Sequence, residues 1–338
     1  MKLKDIAEIA GVSAVTVSNV INGNYNKVSK ETIERVQKII EENDYRPNAT
    51  ARSLALKESK IIGVVVPYIG EDKTFSSSPY NTQMLALLER HIRRQGYYLM
   101  MRSVQKSVDA LPFFSTWNVD GMIFFGTGKE EVEEIKKRIK VPAVYIDAYA
   151  DDQKIASVGI DDYKGGYLAA RYLLGKGHRQ IAFVGPNINS PGVIQARYQG
   201  FCKACRERGI EITEANCFEA ETLYEEGVSV GRKIAFADTR FTALACMSDI
   251  LAFGVMEGLR LSGLNIPDDV SIVGFDNLPE CQYSHPQLTS VSQNLEKKAQ
   301  LVGMQLFKMI KNKEKESVHH HVDVEIVERQ SVKQLFAN

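Results

Sequence analysis

Residues 2–24 read KLKDIAEIAGVSAVTVSNVINGN. Ile6, Ala7, Ile9 and Ala10 recur at helical spacing and predict one apolar face on a first helix. Gly11 breaks that helix and suits a tight turn with positive φ. Val12 is the expected plug between two helices. Ser13 is a good N-cap for a second helix, about 14–21, with Val17, Val20 and Ile21 turned inward. Asn22-Gly23-Asn24 ends it. Ser29 caps a third helix, about 30–43, whose stripe is Ile33, Val36, Ile39 and Ile40. Helix, glycine turn, short helix, loop, longer helix is a helix-turn-helix layout. Its second helix is the one placed to enter a major groove.

Charge does not decide the matter. The chain of 338 residues carries 42 Lys and Arg against 42 Asp and Glu. Residues 1–60 hold ten basic and eight acidic side chains, a balance that neither favours nor opposes a phosphate backbone. Hydrophobic residues make up 44%, enough for packed cores, and no run approaches the roughly 18 apolar residues of a spanning helix. No apolar run with a small-residue cleavage site follows Met1, so a cytoplasmic protein without membrane contact is expected. The five cysteines are odd and sparse, not a disulfide framework. Cys202 and Cys205 form a lone C-x-x-C in a helical pattern and read as core or surface residues rather than a metal pair. His319-His320-His321 precedes a strand-like run.

The first sixty residues closely resemble the headpiece of the LacI/GalR repressor family, in KLKDIAEIAGVSAVTVSNVINGN and again in VSKETIERVQKIIEENDYRPNATARSLA (28–55). The resemblance implies that Ala14, Val15 and Asn19 occupy base-reading positions. It places Ser13, Thr16 and Ser18 at phosphate contacts or caps. Asn can read adenine bidentately, whereas Ala and Val can only touch a thymine methyl or fill space. Asn19 departs from the basic residue many relatives carry there. Residues 47–57 look like the family's hinge. Pro47 blocks continuation of the third helix, and Asn48 can cap a short one over 49–56, too short to persist alone. By the same resemblance Leu54 matches a wedge that enters the minor groove and kinks it, with Arg52 beside it.

From residue 61 short apolar runs alternate with helical stretches. The runs are 61–67, 97–101, 121–125, 143–147, 181–185, 242–247 and 270–275. The helical patterns are 83–95, 130–139, 165–176, 195–208, 223–237 and 250–261. Alternation predicts parallel sheets covered on both faces. The rhythm runs once before about residue 160 and again after it, which predicts two similar lobes. A nucleotide enzyme is the rival reading. Its marks are missing: Gly126-Thr127-Gly128 has no third glycine, and no Walker loop, nucleophile elbow or paired His ligands occur. No enzyme and no cofactor are expected.

VDGMIFF (119–125), IDDYKGGYLAARYLLGKGHRQIAFVGP (160–186), ARYQGF (196–201), FTALACMSDILAFGVMEGL (241–259), IPDDVSIVGFDNLP (266–279) and HPQLTSV (285–291) are similar to the regulatory core of the same family. The implied fold is a small all-α helix-turn-helix headpiece (1–46), a hinge (47–60) and an α/β core (61–338). That core has two Rossmann-like lobes, type I periplasmic-binding-protein-like. Lobe one is expected at about 61–160 plus 293–321, lobe two at about 162–290 plus 323–338. Crossings are expected near Asp161, Ser290–Gln293 and Val322. The effector anchors implied are Arg197 and Asp276, facing each other across a cleft at the strand ends. A planar fork of donors and an acceptor-only carboxylate suit vicinal hydroxyls. Ser248 stands where relatives often carry Asn, and Asp249 is expected to cap the next helix. Pro79 and Tyr80 match the family's Pro-aromatic pair, with Tyr80 available to stack on a sugar face. Asp161, at a crossing, completes the candidate set. The chain runs only a few residues past Arg329-Gln330-Ser331, with no heptad tail, so a homodimer on a pseudopalindromic double-stranded operator is expected. The expected effector is a small molecule, a sugar above all. A nucleobase or a partner protein acting as co-repressor is the alternative.

Overall fold

A computed structural model describes residues 1–45, 58–68, 75–148, 154–189, 192–312 and 317–335. They fall into two compact units, Met1–Lys60 and Ile61–Asn338.

In the first unit α1 (Leu3–Ile9), α2 (Ala14–Ile21) and α3 (Lys30–Glu42) enclose a small core of Ile6, Ala7, Ala10, Val17, Val20 and Val36. Gly11 takes φ +62, the conformation the tight turn requires. Val12 packs against the core as the plug between helices. Ile9 corrects the expected apolar face, because it is 55% exposed. Ala7 and Ala10 are small enough to let α1 approach on their side. The buried stripe is therefore centred on Ile6, Ala7 and Ala10, and Ile9 lies about 100° round from it.

The second unit holds two six-stranded sheets. β1 (Ile61–Pro67), β2 (Tyr98–Val104), β3 (Gly121–Phe125), β4 (Ala143–Ile146) and β5 (Ala156–Ile160) form the first sheet. β6 (Ile181–Gly185), β7 (Cys217–Glu219), β8 (Ala243–Cys246), β9 (Ser271–Asp276) and β10 (Thr289–Ser292) form the second. β11 (Val318–Val322) then returns to the edge of the first sheet and β12 (Glu325–Val327) to the edge of the second. The orders are β11-β5-β4-β3-β1-β2 and β12-β10-β9-β8-β6-β7. Among the described residues every pairing is parallel except β12 with β10. Parallel strands need cover on both faces, which is why β3, β6 and β9 are apolar runs without alternation. The cover comes from α4 (Pro79–Arg94), α5 (Leu111–Thr116), α6 (Lys129–Arg138), α7 (Asp162–Gly175), α8 (Val193–Arg206), α9 (Tyr224–Ala235), α10 (Asp249–Leu261) and α11 (Leu295–Asn312).

Among the described residues three crossings join the lobes. β5 leads into α7, β10 into α11, and β11 into β12. Several local readings shift. α4 starts at Pro79, four residues before the expected position, because Ser78 caps it and Pro79 takes its first turn. Ser248, not Asp249, caps α10, accepting from the Leu251 amide. The three histidines lie inside β11 rather than before a strand. Two glycines set where α7 and α8 cross. A Cβ on Gly166 would lie 1.8 Å from the Arg197 carbonyl oxygen, and one on Gly200 would lie 1.9 Å from that of Tyr163.

Candidate functional site

The outward face of α2 is the first candidate surface. Ser13 accepts a hydrogen bond from the Thr16 amide at 3.1 Å, and the two hydroxyls meet at 2.9 Å. Two of the three expected phosphate or capping residues, Ser13 and Thr16, therefore hold the helix start. Val17 and Val20 anchor α2 inward, which turns Val15, 70% exposed, toward solvent. Ala14, Thr16, Ser18 and Asn19 are half-buried beside it. Asn22 donates to the Ser18 hydroxyl at 3.2 Å. No acidic side chain sits in the first turn, so the positive end of the helix dipole is left unneutralised for an anionic partner. Asn48, Arg52 and Leu54 lie outside the described residues.

The second candidate is a chamber between the lobes of about 240 Å³, lined by Tyr80, Asp147, Arg197, Ser248, Asp276 and Gln293 among others. Contrary to the expectation from the sequence, Arg197 and Asp276 do not face each other across it. Both belong to lobe two, from α8 and the end of β9, and the opposite wall is made by Tyr80 and Asp147 of lobe one. Arg197 is buried and fixed on three sides. Its Nε donates to Asp162 Oδ1 at 2.8 Å, its Nη1 donates to the Met247 carbonyl at 2.8 Å, and its guanidinium lies 3.6 Å from the centre of the Phe275 ring. Asp276 ends β9 with φ +117, followed by Asn277 at φ +57. Such backbone is costly and persists only when its surroundings hold it. Here the Asn277 amide donates to Ser290 Oγ at 3.0 Å, and Arg329 donates to Asn277 Oδ1 at 2.6 Å.

Burial raises the Asp276 carboxyl to about 8, and the nearby Asp249 charge adds to the rise, while Arg197, the Gln293 hydrogen bond and Lys298 oppose it. Asp249 itself is pushed to about 6 by burial, opposed by donors from Ser290, Leu278 and Cys281. Asp162 is also raised by burial, against the pull of Arg197.

Four residues that sequence reasoning missed complete the site: Asp147, Asp162, Gln293 and Lys298. Lys298 is fully buried on α11. Its ammonium donates to Asp147 at 2.9 and 3.2 Å, to Gln293 Oε1 at 2.6 Å and to the Tyr80 hydroxyl at 3.1 Å. Tyr80 donates to Asp147 Oδ2 at 2.5 Å. Gln293 Nε2 in turn donates to Asp276 Oδ1 at 2.6 Å. A continuous polar chain therefore runs from lobe one, through the β10–α11 crossing, to lobe two. The available signal was a lysine four residues from Val302, on the apolar stripe of α11. Ser248 lines the chamber although its oxygen also caps α10. Asp161 does not reach the chamber. It is exposed, caps α7 by accepting from the Lys164 amide at 2.8 Å, and lines an adjoining groove.

Other chemistry is thin. Cys205 is buried and raised to about 12 by burial, and Cys202 and Cys217 are raised for the same reason. Thiols held protonated are poor nucleophiles. Among the described residues no group of three or more His, Cys, Asp or Glu could hold a metal ion, and no helix is long and apolar enough to cross a membrane.

With this geometry in place, comparison with known proteins adds the following. Residues 2–48 match the family of bacterial regulatory proteins called the lacI family, and residues 170–332 match a periplasmic binding protein-like domain. The chain is 32% identical to the HTH-type transcriptional repressor PurR of Pasteurella multocida (strain Pm70), over 98% of both chains. It is 32% identical to the repressor of the same name from Vibrio parahaemolyticus, over 98% of this chain and 99% of that one. Its fold matches a Lac repressor dimer bound to operator and the anti-inducer ONPF, with TM-score 0.85 and 24% identity over 98% of this chain and 99% of that one. A LacI family regulator from Enterococcus faecium with bound ribose matches with TM-score 0.72 and 28% identity, over 82% of this chain and all of that one.

Proposed function

The chain belongs to the lacI family of bacterial regulatory proteins and is a DNA-binding transcriptional repressor rather than an enzyme, and from that premise we propose that a saccharide bound between the lobes sets its operator affinity. The observation that carries the proposal is the two-sided chamber. A ligand there touches Tyr80 and Asp147 of lobe one and Arg197 and Asp276 of lobe two at once. It therefore has a different affinity for each arrangement of the lobes, which is the only way a ligand can shift an equilibrium. The lining supplies acceptors, donors and one stacking ring, the mixture that vicinal hydroxyls require. The protein acts as a homodimer in the cytoplasm. Ala14, Val15 and Asn19 read bases, Ser13 and Thr16 hold the helix start against phosphate, and Ser18 contacts phosphate further along α2. In the hinge, Asn48 caps a short helix at the DNA, Leu54 enters the minor groove, and Arg52 sits beside it against phosphate or the groove floor.

A nucleobase is the second reading, favoured by Tyr80 and Phe125 in the chamber wall. Phe125 is buried at 2% exposure, so a base would find one accessible ring face, not a sandwich. The test is the full-length protein melted against matched panels of sugars and nucleobases, since a ligand bound only by the folded state raises the melting temperature. Ligands that shift the melt are then added to operator-binding assays. A sugar that does both is the expected result. A shift by bases alone replaces the saccharide reading with the second one.

A further inference from the structure

The chamber is not closed. Asp147 and Val193 line both it and a second, larger space of about 1300 Å³. This groove runs along the face of β5 and β11 that carries Ser157, Gly159, His319 and His321, and its other walls are the starts of α6, α7 and α8. The two spaces differ in scale. Ligand pockets for drug-sized molecules measure about 300–1,000 Å³, so the inner chamber alone falls below that range and the groove exceeds it. Gly159 lines the groove beside the shared Asp147, and a Cβ on it would lie 3.6 Å from Asp147 Oδ1. A side chain larger than alanine here would crowd the Asp147 that the two spaces share.

The groove is also chemically suited to more of the same ligand. Tyr163 presents an aromatic ring, 41% exposed, from the first turn of α7. Its backbone is held by the close α7–α8 crossing, since its carbonyl oxygen lies against Gly200. Gln195, Gln199 and Asp161 offer amide and carboxylate groups around it. An exposed ring among planar polar side chains gives sugar rings a platform and hydroxyl partners.

We propose that the effector is an oligosaccharide of two or more units. Its terminal ring fills the inner chamber, and the following units pass Gly159 into the groove and stack on Tyr163. This rests on the saccharide reading of the chamber. The experiment is isothermal titration of the full-length protein with three matched series: glucose, maltose and maltotriose; glucose, cellobiose and cellotriose; xylose, xylobiose and xylotriose. In the series that binds, the di- or trisaccharide is expected to bind at least about tenfold more tightly than its monosaccharide. Tyr163→Ala, on an exposed side chain, is expected to weaken the longer ligands about two- to tenfold and to leave the monosaccharide unchanged. Gly159→Val is expected to narrow the passage and lower the ratio between long and short ligands further. Equal affinity across the binding series, or a Tyr163→Ala protein with an unchanged ratio, overturns the extension and leaves the single-ring saccharide reading standing. Binding by no saccharide of any length overturns that reading and the extension with it.

Discussion

At the scale of single residues the site is defined by charges taken out of water. Lys298 carries the clearest cost and the clearest function. A buried ion pair adds little stability over an apolar pair, but breaking one side leaves the other uncompensated at about 3–5 kcal/mol. Lys298→Met is therefore expected to destabilise the core by roughly 3 kcal/mol, because Asp147 loses its cation. The double variant Lys298→Met with Asp147→Asn should recover more than half of that loss. Urea unfolding of the four proteins measures both numbers, and a strictly additive cycle would show that the pair is not coupled. Asp276 gives a second prediction. Its carboxyl is raised to about 8 in the folded protein, chiefly by burial. Between its ordinary value near 4 and about 8, the folded chain holds a proton that the unfolded chain has released. Stability from this group is full below pH 4 and is lost as pH rises through 8. Asp276→Asn removes that loss. The variant should melt above the parent at pH 8.5, with the gap closing toward pH 5. A gap independent of pH would place the effect in packing and not in ionisation.

At the scale of elements the same logic governs where helices touch. α7 and α8 approach so closely at Gly166 and Gly200 that side chains there would enter the backbone of the facing helix. Gly200→Ala should cost more than about 3 kcal/mol by forcing the crossing open, the high end of what one substitution does. It should also weaken ligand binding, because Arg197 rides on α8. Gly175→Ala, in open space at the end of α7, should be neutral or stabilising by up to about 1 kcal/mol. Chemical denaturation of both variants checks the contrast. These elements were legible to very different degrees. The glycine turn at Gly11, the caps at Ser13 and Ser29 and the apolar runs of β1, β3, β6 and β9 carry strong local signals, and the structure has them there. β5 (ASVGI) and β10 (TSVS) carry weak ones, since Ser, Gly and Thr are apt for a strand that borders a cleft or a crossing. α11 went unread because Lys298 and Gln305 interrupt its apolar stripe, although both are buried. Candidate site residues divided in the same way. Arg197, Asp276, Ser248 and Tyr80 sit in recognisable motifs and line one chamber. Asp147, Gln293 and Lys298 come together only through the fold, from sites 146 and 5 residues apart in the chain.

At the scale of the whole molecule the question is whether reader and receptor are separable parts joined by a linkage. The two compact units divide at Lys60 and Ile61, so each can be damaged alone. Leu54→Ala should leave ligand affinity unchanged while weakening operator binding and reducing the bend, as the wedge role proposed for Leu54 requires, because an apolar side chain between base steps is what unstacks them. Arg197→Ala should do the reverse. Ligand-free operator affinity should stay within about threefold of the parent, while the effector response disappears, because the group proposed to sense the ligand is gone. Reciprocity sharpens the pair. If effector changes operator affinity by some factor, operator must change effector affinity by the same factor. Titrating the parent with effector, with and without saturating operator duplex, should return the factor that gel-shift titration gives in the other direction. Unequal factors at equilibrium would mean that the two sites are not linked through one conformational balance. We propose that the polar chain reaching from Tyr80 to Asp276 through the β10–α11 crossing is the physical carrier of that balance. Gln293→Leu, which cuts the chain at its middle, should therefore reduce the coupling factor by more than it reduces either affinity alone.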